Sequence, residues 1–168
     1  MINASIKMEK FLQEYRFKEA KGNLIGDVLD FGGNKGELKR FVNGKYTLIN
    51  YDHSPMEEKT FDTIAVLAVI EHINFDEVFK IFSTFKKKLR PKGRIIITTP
   101  TKISSPILEV LSFLGIIERE NILEHKHYWS KKEIYMLAEK NGFKIKKYTL
   151  FQFVFNQIAV FEHDDKED

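Results

Sequence analysis

The residues best suited to chemistry lie in one short stretch, Val28-Leu-Asp30-Phe-Gly32-Gly33-Asn34-Lys35-Gly36. An apolar run that stops at two glycines reads as a strand entering a tight loop. Such a turn ahead of a helix lets a ligand approach the backbone closely. Gly32 and Gly36 remove side chains where a nucleotide-like ligand would sit, and Asp30 adds a carboxylate suited to an ammonium group. The spacing is not the G-x-G-x-x-G that cradles a dinucleotide, nor a P-loop, since no Gly-Lys-Ser/Thr follows. A glycine turn that only tightens a strand–helix connection is the bland alternative. Asp52 ends the next strand-like run, Tyr46 to Tyr51. An acid there can accept hydrogen bonds from both hydroxyls of a ribose. Asp is equally at home in an Asp-His-Ser-Pro turn for local reasons.

The histidines form the second group. Glu71-His72 follows the apolar run Phe61 to Val69, at the mouth of any cleft there. The pair either orders its loop or faces a substrate. Glu124-His-Lys-His-Tyr-Trp129 gathers two histidines and two aromatics ahead of a helix. His125 and His127 stand two apart, a spacing that suits metal ligation from a strand, but no third ligand is evident and no metal is expected. An imidazole of unperturbed pKa about 6.5 can take a proton near neutrality. The candidates for a catalytic role are therefore His127, His125 and His72, against the alternative that the loop residues merely pack Tyr128 and Trp129.

These residues need elements to hold them. The 168 residues, 43% hydrophobic with 15 Phe, suffice for one buried core. A single domain over residues 1–168 is expected, with an N-terminal helix to about residue 22 and a frayed acidic tail from residue 163. Met8, Phe11, Leu12 and Tyr15 share a helical face. A short helix with Leu38, Phe41 and Val42 follows the glycine loop. Phe75, Val78, Phe79, Phe82, Phe85 and Leu89 form the buried stripe of another helix, which Arg90-Pro-Lys-Gly93 stops. Arg94 to Thr99 is a strand buried on both faces. Ser105 to Ile117 reads as a helix apolar almost all round: a substrate lid, a subunit contact or core. Ser130 and Glu133 make a capping box, and Trp129 can staple onto Ile134. Phe143 to Glu162 reads as two antiparallel strands. Alternating strands and helices imply a Rossmann-like, doubly wound α/β fold: a mostly parallel sheet with an antiparallel strand near one edge.

Composition removes several classes of function. Lys and Arg number 27 against 24 acids, a net charge of +3 without a basic stripe, so no nucleic-acid partner is expected. Cysteine is absent, which excludes disulfide scaffolds and fits a cytoplasmic setting. No apolar run reaches the roughly 18 residues of a membrane span, and no signal-like core opens the chain.

Four segments together resemble the class I S-adenosylmethionine-dependent methyltransferases of the small-molecule group: LDFGGNKG, INYDHS, FDTIAVLAVIEHI with KKLRPKGRIIITTP, and HYWSKKEIYMLAEKNGF. The resemblance implies S-adenosylmethionine as cofactor and methyl transfer to a small-molecule or carrier-bound acceptor. By position, Gly32, Gly33, Asn34 and Gly36 would pass under the methionine and ribose, with Asp30 near the amino-acid end. Asp52 and His53 would adjoin the ribose, and Leu67 would line the cavity. The chain departs from the pattern in two places. Asn34 replaces the central glycine, and Asn tolerates the left-handed backbone needed there. Only eight residues, His53 to Thr60, separate Asp52 from the third strand, where such proteins usually place a helix and a strand. The fold is thus shortened after the second strand. That leaves two further expectations: a homodimer through the exposed second strand, or a degenerate, cofactor-binding subunit without turnover.

Overall fold

The computed structural model describes residues 2–50, 59–104, 106, 113 and 125–163, with side chains from residue 7 onward. Asp52, His53, all of the 105–117 segment except Pro106 and Phe113, and the tail beyond His163 lie outside the described residues.

Runs of β-branched and apolar residues build the sheet. β1 (Val28–Phe31) is buried throughout, and Ile95, Ile96 and Ile97 of β4 (Leu89–Pro100) are fully buried. Strands covered on both faces need such unbroken apolar runs. With β2 (Tyr46–Ile49), β3 (Phe61–Leu67), β5 (Phe143–Phe151) and β6 (Asn156–His163), they form six strands in the order β2-β1-β3-β4-β6-β5. β2, β1, β3 and β4 pair in parallel, while β6 pairs antiparallel to both β4 and β5. β6 is therefore the antiparallel strand one place in from the edge, as the sequence predicts. β2 is the opposite edge of the described sheet.

Helix α2 (Phe75–Lys88) buries Val78, Phe82 and Phe85 on the sheet. Phe85 meets Phe31 edge-on at 5.1 Å, and Phe82 meets Phe161 at 5.7 Å. Helix α3 (Lys131–Lys140) opens on the expected capping box: Ser130 Oγ accepts from the Glu133 amide, and the Glu133 carboxylate accepts from the Ser130 amide. Trp129 and Ile134, the expected staple, are both fully buried. Among the described residues no helix is long and apolar enough to cross a membrane.

Four features differ from the sequence reading. The segment after the glycine loop is a single 3-10 turn, Glu37–Phe41, rather than an α-helix. β3 stops at Leu67 rather than Val69, because Ala68 adopts a left-handed φ of 57° that a strand cannot hold. β4 begins at Leu89, directly after α2. Its register against β3 jumps from Phe61↔Leu89 to Thr63↔Arg94, so Pro91-Lys-Gly93 is an irregularity inside the strand. Helix α1 (Ile2–Lys21) is present, but Met8, Phe11 and Tyr15 are substantially exposed, and Phe17 and Ala20 are the buried residues.

Candidate functional site

The carboxyl ends of β1 and β3 open into a cavity of about 370 Å³, within the range of small-ligand pockets. Its floor is the glycine loop: Asp30, Gly32, Gly33 and Asn34 line it, with Leu67 and Ala68 from the end of β3. Glu71, His72 and His125 form one wall. The cover is α1, through Glu9, Leu12, Gln13, Arg16 and Phe17. A more open cavity shares Gly32, Asn34, Ala68 and His72 and adds Asn50 and Val69.

The glycines act differently from the expectation. A side chain at Gly32 would meet Val69 Cγ2 at 2.6 Å, and Gly32 has a φ of 78°. One at Gly33 would lie 2.1 Å from the Asp30 carboxylate. Gly36, with a φ of 72°, is crowded by Tyr46 and Leu48 and is not among the residues lining either cavity. The space these glycines leave is filled by the protein's own side chains. They shape the turn, and only the Gly32 and Gly33 backbone reaches the cavity. Asn34 does adopt the left-handed conformation, at a φ of 51°, and its carbonyl accepts from Asn50 Nδ2 at 3.2 Å.

Asp30 is the centre of the floor. It is 2% exposed, and the Tyr46 hydroxyl donates to its Oδ2 at 2.5 Å. Burial pushes its pKa up to about 6, and the Tyr46 hydrogen bond pulls the other way. An ammonium group in the cavity would relieve that desolvation.

The histidine wall is assembled from segments more than fifty residues apart. The Lys126 and His127 amides both donate to the Glu71 carbonyl, at 2.7 and 3.2 Å. Trp129 Nε1 donates to the Ile70 carbonyl at 3.3 Å, and Gln157 Nε2 holds the Trp129 carbonyl at 2.6 Å. This clamp sets the His125 ring 4.9 Å from the His72 ring, edge to face. Tyr128 Oη lies 3.1 Å from His125 Nδ1. Burial, with His72 adding to it, pushes the His125 pKa down to about 4. His125 is therefore neutral near neutrality and a weaker base than an ordinary imidazole, contrary to the expectation from its type alone. His127 points elsewhere. Its Nε2 is 3.1 Å from Glu133 Oε1 and its ring packs edge-on against Phe75 and Trp129. It does not line the cavity. The structure thus brings His72 and His125 together and leaves His127 with the helix cap.

Glu71 is 1% exposed, and its Oε2 has no hydrogen-bond partner among the described residues. Burial raises its pKa to about 7; its own backbone, Thr99 and Arg16 oppose that, although the Thr99 hydroxyl forms no hydrogen bond of normal geometry among the described residues.

Arg16 is the site residue that sequence reading missed. Glu9, Leu12, Gln13, Arg16, Phe17 and Ala20 recur at three- and four-residue steps, so they share one face of α1. That face covers a polar cavity and is itself mixed in polarity. Hydrophobic periodicity selects the wrong face for this reason.

A doubly wound sheet with a ligand cavity beyond its strand ends, floored by a glycine turn and an acid, defines a protein class that binds nucleotide-like ligands. Within that class the chain belongs to the methyltransferase-domain family, whose pattern it matches over residues 5–148. No curated protein matches the sequence. Among solved structures, the pyocyanin biosynthetic protein PhzM is similar with a TM-score of 0.67 at 13% identity, over 90% of this chain and 55% of that one. The PH0226 protein of Pyrococcus horikoshii OT3 is similar with a TM-score of 0.59 at 17% identity, over 93% and 87%. Magnesium protoporphyrin IX methyltransferase of Synechocystis PCC 6803, solved with bound S-adenosylhomocysteine, gives 0.57 at 14% identity, over 94% and 84%. At these identities the likeness is one of fold. The chain spans about half the length of PhzM and of the mitomycin 7-O-methyltransferase MmcR.

Proposed function

We propose that the chain binds S-adenosylmethionine in this cavity and transfers its methyl group to a small-molecule or carrier-bound acceptor. The observation that carries the reading is Asp30: a buried carboxylate, bonded by one hydroxyl, on the floor of a glycine-turn cavity in a chain of the methyltransferase family. When bound, S-adenosylmethionine supplies a methyl group activated on a sulfonium.

The chain's residues fit that ligand. Its amino-acid end is a zwitterion, and the cavity offers an acid and a cation. Asp30 would hold the ammonium and Arg16 the carboxylate, a charge-assisted pairing at each end. The backbone of Gly32 to Asn34 would pass beneath the ligand, and Leu67 would pack against it. Asp52, with His53 beside it, is the proposed ribose acid; both lie outside the described residues. His72 and His125 would face the acceptor, since they line the same cavity. Helix α1 would exclude water from above. Much of the protein's task in such a transfer is alignment, which holding both reactants in one cavity provides.

A second reading, a cofactor-binding subunit without turnover of its own, is favoured by the eight-residue link from His53 to Thr60. Calorimetry with S-adenosylhomocysteine tests what both share. One-to-one binding that Arg16→Met and Asp30→Ala each weaken is expected; no binding by the folded wild-type chain would overturn both readings. Turnover on any acceptor then selects the first.

A further inference from the structure

We propose that Glu71, His72 and His125 form a binding site for a divalent transition-metal ion in the wall of the cavity. One donor atom from each lies within 4.8 Å of the others. Two neighbouring segments supply the three donors, and the backbone clamp of Lys126 and His127 on the Glu71 carbonyl fixes those segments together. The set of two imidazoles and one carboxylate is what zinc and its first-row neighbours accept, and hard magnesium or calcium ions prefer all-oxygen ligands. Donor atoms around a tetrahedral zinc stand about 3.4 Å apart, given metal–ligand distances of about 2.1 Å. Binding would draw the three donors together by up to about 1.4 Å from the 4.8 Å within which they now lie.

Two independent observations point to an occupant. Among the described residues Glu71 Oε2 is buried without a hydrogen-bond partner, while its residue lines the cavity. A buried carboxylate oxygen with nothing to bond is expensive, and a cation on it removes that penalty. His125 already carries the outer partner that metal-bound histidines need: Tyr128 Oη lies at its Nδ1, which orients the ring and leaves Nε2 for the metal. Arg16 attracts Glu71 from across the cavity, but no contact ion pair joins them among the described residues.

Three protein ligands leave coordination positions open toward the cavity. A hydroxyl or carbonyl oxygen of an acceptor is the class of ligand those positions would take. Only that last step rests on the methyl-transfer reading; the metal site itself stands on the three side chains.

The test is titration of the metal-free full chain with Zn²⁺ against a chromophoric chelator, and with Co²⁺ followed by visible absorption. One ion per chain is expected. His72→Ala and His125→Ala should each weaken binding on the order of 100-fold, since loss of a direct ligand exceeds the 10–100-fold effect of an outer-shell partner. His127→Ala should bind like the wild type. Circular dichroism confirms that each variant is folded, and Glu71→Gln, which keeps the shape, serves as the third arm. Failure of the folded wild type to bind one ion, or undiminished binding by both His72→Ala and His125→Ala, overturns the proposal. S-adenosylhomocysteine titrated into the same samples keeps the two readings apart. Its binding without zinc binding sinks the metal site alone, and zinc binding without it sinks the cofactor reading alone.

Discussion

Two aspartates three residues apart, Asp27 just before β1 and Asp30 within it, live in opposite circumstances. Asp27, at the amino end, accepts from the Lys45 amide at 2.9 Å and from Arg90 Nη2 at 3.0 Å. Arg90 Nη1 reaches Asp62 at 2.7 Å, and Asp62 Oδ2 also accepts from the Asp27 amide. The Lys45 amide and the Arg90 guanidinium hold the Asp27 pKa below the usual range. Asp30, at the carboxyl end, has the Tyr46 hydroxyl, and burial raises its pKa to about 6. One end of the sheet is stitched closed by paired charges. The other keeps an acid buried and underpaired, which the fold tolerates at a loss of stability. An acid kept buried and underpaired is the arrangement a cation-binding site would use.

The comparison breaks first at Gly32, where the carboxyl end proves structural too. Gly32→Val would place a branched side chain 2.6 Å from Val69 Cγ2 at a left-handed φ. Strain and overpacking together should destabilise the chain by roughly 2–5 kcal/mol in urea unfolding. Gly22→Val, which meets nothing within 4 Å, is the control and should change stability little. If Gly32→Val instead kept wild-type stability and lost only cofactor binding, the glycine would be making room for ligand after all.

This result also marks what was legible in the sequence. The strand and glycine turn around Asp30, the antiparallel β6, the α2 stripe and the Ser130 cap are local patterns, and local patterns suffice to read them. That the glycines face Val69, Asp30 and Tyr46 depends on how loops pack, and no local pattern carries it. The His72–His125 wall was legible only as two separate suspicions, because a backbone clamp from a distant segment joins them. The α1 face was misread because a helix that covers a polar site turns Arg16, Gln13 and Glu9 inward. Its exposed Phe11 and Met8 then mimic a core stripe.

Asp30→Asn sharpens the comparison with opposite signs for stability and function. A carboxyl whose folded pKa is about 6, above the unfolded value near 3.8, binds its proton more tightly in the folded state. Its contribution is fully present below the unfolded pKa and is lost as pH rises through about 6. Asn cannot ionise. The variant should therefore gain stability relative to wild type between about pH 4 and pH 6, reaching about 1–3 kcal/mol at pH 8. In the same variant S-adenosylhomocysteine should bind more weakly. Wild-type affinity should itself rise as pH passes 6 and the carboxylate forms, with no such rise in Asp30→Asn. Parallel stability curves for the two proteins from pH 4 to pH 8 would show that Asp30 is not underpaired.

The smallest effect is expected at the stitched end, from Arg90→Met. Arg90 is part-exposed, and its partners each keep a backbone hydrogen bond without it: Asp27 to the Lys45 amide, Asp62 to the Asp27 amide. The methionine also preserves much of the apolar stem. Loss of the guanidinium should lower the melting temperature by less than Gly32→Val does, and molar salt should shrink the difference because exposed pairs are screened. The pH dependence should run opposite to that of Asp30. A carboxyl with a lowered folded pKa contributes stability above its unfolded pKa and loses it as pH falls through the folded one. The gap between wild type and Arg90→Met should thus be present at neutral pH and close in acid, whereas the gap produced by Asp30→Asn opens as the solution leaves acid. Cofactor affinity should not change, because the clamp lies at the other end of β1 from the cavity. A variant that melted normally but bound S-adenosylhomocysteine poorly would mean that the two ends of the strand are coupled, and that the division of labour between Asp27 and Asp30 is wrong.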